Sequence, residues 1–192
     1  PCLAAQLDHK SARVRECARR ALQANPSPDA TAALRRALAA AKDPIWAAGL
    51  INSLAARADA DSLAALKVRL SSADTTVARA AAAALGSVGN TAALDALGQA
   101  NTKGNAKVAA AVADARLACA DSMLRSGSQD KAATVYAALF AKDQPSHVRI
   151  AALQGLLAAR PNEAVALTMN VLSEDQPALQ AAAANFIGNM PN

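Results

Sequence analysis

An all-α solenoid of about five and a half helix pairs is predicted by three observations: a repeat of about 31 residues, 56 alanines in 192 residues, and aromatics held to 2%. An apolar anchor sets the repeat at Val14, Trp46, Val77, Val108, Val148 and Leu179, with steps of 32, 31, 31, 40 and 31. Eight residues after five of the six anchors stands a large aliphatic: Leu22, Leu54, Leu85, Leu156 and Ile187. Arg116 breaks the series, and Leu117 follows it directly. A unit of this size buries its apolar face only by stacking on its neighbours. Alanine is the strongest helix former, and its small side chain lets helices approach where aromatics are scarce. One domain over residues 1–192 is expected, built as a continuous stack rather than around one centre. The chain starts at Pro1 without a leader and stops at Met190, Pro191 and Asn192, where the last unit should begin its second helix. A fragment of a longer protein is therefore expected.

Each unit reads as helix A, turn, helix B. In the first, helix A covers 12–24, the Asn25, Pro26, Ser27, Pro28 stretch breaks it, and helix B covers 29–41 with Leu34 and Leu38 one turn apart. The second pair covers 45–57 and 61–70, where Leu66 and Leu70 match the earlier leucines. The third covers 76–86 and 91–98, with Gly86 and Gly98 read as C-terminal stops. A longer first helix over 106–125 opens the fourth unit and accounts for its 40-residue step. The fifth starts at His147 and Val148 and has helix B over 162–172; the sixth contributes 176–188 only. Aspartate outnumbers glutamate by 12 to 3, and Asp8, Asp43, Asp74, Asp143 and Asp175 each precede an anchor. These short carboxylates are expected to cap helix N-termini, where N–H groups are free and the dipole favours negative charge.

The formal net charge is +5 and the isoelectric point about 9.5. Its location is more informative. Residues 1–36 carry seven bases (Lys10, Arg13, Arg15, Arg19, Arg20, Arg35, Arg36) against three acids, so +4 of the +5 lies there. The remaining 156 residues hold 13 bases and 12 acids. No stretch approaches the roughly 18 consecutive apolar residues needed to span a bilayer. Cys2, Cys17 and Cys119 form no zinc-type spacing; Cys2 and Cys17 flank a turn and could bridge, with buried free thiols as the alternative.

No catalytic chemistry is legible. Phosphate-binding glycine loops, HExxH, calcium loops and GxSxG are all missing from the sequence. His9 and His147 stand at equivalent places before helix A and are read as helix-start hydrogen-bonding groups. Asp59 and Asp61 precede a helix B and are read as caps rather than a cation site. Trp46 and the methionines Met123, Met169 and Met190 are read as packing residues. No catalytic, cofactor-binding or metal-binding residue is assigned, and no cofactor is expected.

An Asp-bearing turn followed by Val-Arg, Ala-Ala and a closing Leu resembles bacterial HEAT-like repeats, including those of the phycobilisome-lyase type. The residues that carry it are Val14, Arg15, Ala18, Ala21 and Leu22; Val77, Arg79, Ala80, Ala81, Leu85 and Gly86; and Val148, Arg149, Ala151, Ala152 and Leu156. Leu117 to Gly127 with Ala132, Ala133 and Tyr136 is similar, over a short stretch, to a tetratricopeptide-type pair. The resemblance implies a right-handed, armadillo-like α-α superhelix whose stacked B helices form a concave wall. It also implies ladder pairs of Asp74 with Arg79 and Asp143 with Arg149.

On helix B, Arg35 and Arg36 have counterparts in Lys67 and Arg69 one unit along, and Asp95 ends the strip in the next. The expectation is a monomeric, non-catalytic scaffold or adaptor, not an enzyme, that binds a protein or peptide on this face. Arg35, Arg36, Lys67 and Arg69 would contact the partner's acidic groups. Two alternatives stand beside it. One is a nucleic-acid-binding module of the base-excision type, disfavoured by the near-neutral remainder and the few aromatics. The other is a chromophore-lyase subunit, implied by the repeat type.

Overall fold

A computed structural model describes residues 2–57 and 60–188, the side chains of 60, 187 and 188 excepted. Asp59, Met190 and the side chain of Ile187 therefore lie outside the described residues. The fold is an all-α helical repeat, with no strand among the described residues. Its α-helices are α1 (Cys2–Ala5), α2 (Ala12–Ala24), α3 (Pro28–Ala40), α4 (Pro44–Arg57), α5 (Leu63–Leu70) and α6 (Thr75–Val88). They continue with α7 (Thr91–Gly98), α8 (Ala106–Arg125), α9 (Gln129–Leu139), α10 (Ser146–Ala159), α11 (Ala164–Leu172) and α12 (Pro177–Gly188). Single 3-10 turns at Gln6–Asp8, Ala60–Ser62 and Pro161–Glu163 precede α2, α5 and α11. The chain divides into two compact units, residues 1–115 and 116–192, and the division falls within α8.

In the first unit the A helices α2, α4 and α6 stack in order, and the B helices α3 and α5 pack on the A helices that follow them, α4 and α6. Leu34, Leu50, Ile51, Leu54, Leu66 and Leu85 form the floor of this stack with no exposure at all. In the second unit α10 packs on α9, α11 and α12. Leu153, Leu157, Val171 and Leu179 are its buried centre, with Phe140 and Phe186 against them. The anchors Val77, Val108, Val148 and Leu179 are buried, and Val14 and Trp46 are half-buried.

Capping follows the expectation in part. The Asp74 carboxylate accepts from the Thr76 and Val77 N–H groups at 2.8 and 3.1 Å, and Asp43 accepts from the Trp46 N–H at 2.6 Å. Elsewhere other short polar side chains take the role: Ser27 on α3, Asn90 on α7 and Asn105 on α8. Asp8 sits inside a 3-10 turn, Pro145 is the N-cap of α10 in place of Asp143, and Asp175 is separated from α12 by the loop residue Gln176. His9 behaves as expected, its Nδ1 accepting from the Ser11 N–H at 3.0 Å.

Gly86 does not end its helix. Helix α6 runs two residues further, and Gly89, at φ 63°, supplies the left-handed cap. Gly86 serves close approach instead: a Cβ there would lie 2.9 Å from the Ala115 Cα. All three cysteines are free, so Cys2 and Cys17 are not bridged. Only Cys119 is buried; the other two are exposed, contrary to the reading of buried thiols.

The Asp–Arg ladder is replaced by one in which arginine meets backbone carbonyls of the neighbouring unit. Arg57, the last residue of α4, donates to the carbonyls of Leu22, Gln23, Asn25 and Ser27 and to the Thr31 hydroxyl. Arg69 donates to the carbonyls of Leu38 and Ala39 at the end of α3. Neither α2 nor α3 ends on a left-handed glycine, so their last carbonyls lack the usual partners. A guanidinium with five donors fills that need and complements the negative end of the dipole. Arg149 pairs with Glu174 at 2.9 Å rather than with Asp143. Asp74 is engaged as a cap, and among the described residues no ion pair joins it to Arg79.

Candidate functional site

Four basic residues on α3 and α5 are the site the sequence nominates, and the two helices set their side chains to different tasks. Arg35 points to the start of the next B helix, where its guanidinium lies 3.5 Å from the Asp61 carboxylate. Arg69 is half-buried against the end of α3 through the carbonyl bonds just described. Lys67 is exposed and its Nζ donates to the Gln99 side chain at 3.3 Å, one unit further along. Arg36 is exposed and turns away from α5 toward the N-terminal segment. There it lines a concavity of about 310 Å³ with Ala4, Leu7, Asp8 and three alanines of α3. Consecutive helical residues stand about 100° apart, which is why Arg35 and Arg36 serve opposite sides of one helix. The structure thus engages Arg35 and Arg69 at opposite ends of the α3–α5 seam and leaves Arg36 and Lys67 as the exposed members of the set.

Much of the remaining basic charge of residues 1–36 is committed to holding α2. Arg19, 11% exposed, makes a bidentate pair with Glu16 at 2.8 and 2.6 Å and reaches Gln23, the Gly49 carbonyl and Ser53. Arg20 meets the same carboxylate at 2.7 Å. The Arg19 hydrogen bond, helped by that from Arg20, holds the Glu16 carboxyl at about 2, well below its ordinary 4.5. A depressed folded-state value means a stabilisation that is complete above 4.5 and is lost as pH falls through about 2. Glu16 is 38% exposed, so solvent screening limits the contribution to about 1 kcal/mol. Urea unfolding should show E16Q less stable than the parent by that amount at pH 6 and equal to it near pH 2. An equal gap at both pH values would refute the ion-pair account.

Sequence reasoning missed the surroundings of Trp46. The Arg15 guanidinium lies 5.7 Å from the Trp46 ring centroid and donates to the carbonyls of His9 and Lys10. Trp46 is thus half-buried beside a fixed cation and lines a second concavity of about 320 Å³ with Lys42 and Asp43. The only signal in the sequence was the basic cluster itself; the segment 2–8 that closes the concavity has too little periodicity to be placed. Among the described residues no group of three histidine, cysteine or carboxylate side chains could hold a metal ion. No helix among them is long and apolar enough to cross a membrane.

Fold and site define a helical-repeat protein with a partly basic B-helix face. No protein-family model matches the chain, and no curated protein matches it. Among solved structures it is similar to the complex of CpcE and CpcF of phycocyanin lyase from Nostoc sp. PCC7120. The TM-score is 0.58 at 21% identity, over 97% of this chain and 74% of that one. It is also similar to an engineered protein, at a TM-score of 0.55 and 19% identity, over 98% of this chain and 94% of that one. These likenesses establish the helical-repeat fold. They also correct the expectation that the chain is not an enzyme: that expectation rested on repeat architecture alone, and in Nostoc the same architecture belongs to a lyase.

Proposed function

We propose that the chain is a subunit of a chromophore-lyase type, working on a protein partner that it holds against its B-helix surface. The observation that carries this reading is the likeness of 97% of the chain to a phycocyanin lyase complex, which outweighs the scaffold reading drawn from repeat architecture. The partner surface would include the nominated set. Arg36 and Lys67 are exposed and would meet acidic groups, Lys67 by giving up its bond to Gln99, while Arg35 and Arg69 lie along the α3–α5 seam.

The test is spectroscopic. A free bilin added to the purified chain should show a changed absorption band and enhanced fluorescence, since a bound linear tetrapyrrole loses conformational freedom. A spectrum identical to that of the bilin in buffer, at chain concentrations up to about 100 μM, would remove the lyase reading; binding weaker than that corresponds to less than roughly 5.5 kcal/mol.

A further inference from the structure

We propose that a groove at the N-terminal end of the first unit docks an acidic segment of a protein partner with an apolar residue at its centre. The inference rests on the protein-partner half of the reading above. The two concavities, of about 310 and 320 Å³, share Leu7, Asp8, Ala37 and Ala40 and therefore form one groove across the C-terminal half of α3. Its floor is Leu7, 3% exposed, with alanines of α3 whose small side chains keep it low. One end carries Arg36 and the other Lys42, both exposed, so an apolar side chain on the floor would have a cation on either side.

The acids in the groove do not cancel this pattern. The Asp43 carboxylate accepts from the Trp46 N–H at 2.6 Å and keeps its charge, so the groove holds Asp43 and, at the middle, Asp8 against Arg36 at one end and Lys42 with Arg15 at the other, and each end keeps a net positive charge. Arg15, at the Lys42 end, bonds to two carbonyls and a ring, so its positive charge stays uncompensated by any of these partners. The groove also lies where the chain concentrates its charge, +4 of the net +5 being in residues 1–36. Cations at the two ends with an apolar floor between them match a peptide with acids flanking a leucine. A nucleic-acid backbone fits less well, because its unbroken run of phosphates would cross Asp8.

Trp46 is the sole tryptophan of the chain and lines the groove, so it reports occupancy directly. The probe is a dansyl-labelled hexapeptide, Glu-Glu-Leu-Leu-Glu-Glu, titrated into the full chain at 50 and 200 mM salt. The expected result is saturable energy transfer from Trp46 that weakens as salt screens the contact. The R36E/K42E variant should bind this peptide at least about tenfold more weakly. It should instead take up the Lys-Lys-Leu-Leu-Lys-Lys counterpart, and its helical circular dichroism should be unchanged because both positions are exposed.

No transfer, equal transfer with both peptides, or undiminished binding by R36E/K42E would overturn the proposal, as would tighter binding of single-stranded DNA than of the acidic peptide. Failure here is separable from failure of the lyase reading. A chain that shifts the bilin spectrum but ignores the peptide loses the groove alone; one that binds the peptide and leaves the bilin unchanged loses the lyase role alone.

Discussion

Replacing Arg149 by methionine is expected to destabilise the second unit by about 3 kcal/mol, although the side-chain volume is nearly kept. The Arg149 side chain is 1% exposed, yet each of its three nitrogens has a partner. Nε donates to the Phe140 carbonyl at 3.0 Å, Nη1 to Gln176 at 2.6 Å and Nη2 to Glu174 at 2.9 Å, while the guanidinium lies 4.8 Å from the Phe140 ring centroid. One residue thus ties the start of α10 to the end of α9 and to the loop before α12. Methionine would leave the Glu174 carboxylate, the Gln176 amide and a carbonyl without their donors, and an unmatched buried polar group costs more than the made bond gains. Lysine at this position keeps the charge but not the fork, and should recover less than half of the loss. Urea unfolding reads the magnitude, and hydrogen exchange should locate the loosening at residues 141–147 and 173–176. A loss under about 1 kcal/mol would mean that the fork is incidental to stability.

That arginine also shows where sequence reading stops. The pattern of Val148 followed by Arg149 signals a repeated role, and the role is repeated: Arg15, after Val14, likewise reaches a carbonyl ahead of its own helix and lies over an aromatic ring. The partner is what sequence cannot supply. A carboxylate is visible as a letter, whereas a carbonyl left free at a helix end is visible only once the helix ends are placed. Asp143 was therefore nominated as the partner of Arg149 when the Phe140 carbonyl, Gln176 and Glu174 take that part.

Helix positions were read more successfully, because periodicity and breakers are local. The expected spans for α2, α7 and α8 coincide with the observed Ala12–Ala24, Thr91–Gly98 and Ala106–Arg125. Helix α1 and the 3-10 turn at Gln6–Asp8 were not anticipated. A four-residue helix cannot hold itself in water, and this one exists through contact with α2 and α3. Since that segment closes the groove, the groove was unreadable too. The nominated basic strip was legible as four charges but not as a geometry: adjacency in sequence places Arg35 and Arg36 about 100° apart on a helix. Function was the least legible of all, since a repeat architecture specifies a scaffold and not the chemistry carried on it.

Gly155 gives the second large effect, and its sign runs against helix propensity. Glycine inside a helix is disfavoured by about 1 kcal/mol relative to alanine, so Gly155→Ala on α10 would ordinarily stabilise. Here a Cβ would overlap the ring atoms of Tyr136, which lies against the glycine from α9. Tyr136 cannot swing aside. It is 1% exposed, and its hydroxyl donates to the Asp121 carboxylate at 2.5 Å; burial, reinforced by that bond, pushes the phenol well above its ordinary range. The substitution must separate α9 from α10, and we expect a net loss of about 3 kcal/mol. Gly98→Ala is the internal control, because nothing lies within 4 Å of a Cβ there; it should be neutral or stabilising by up to about 1 kcal/mol. Repeating Gly155→Ala in a Tyr136→Leu background isolates the contact: the penalty should shrink by at least half if the ring is its cause. An undiminished penalty in that background would shift the cause to the α10 backbone and away from the helix–helix seam.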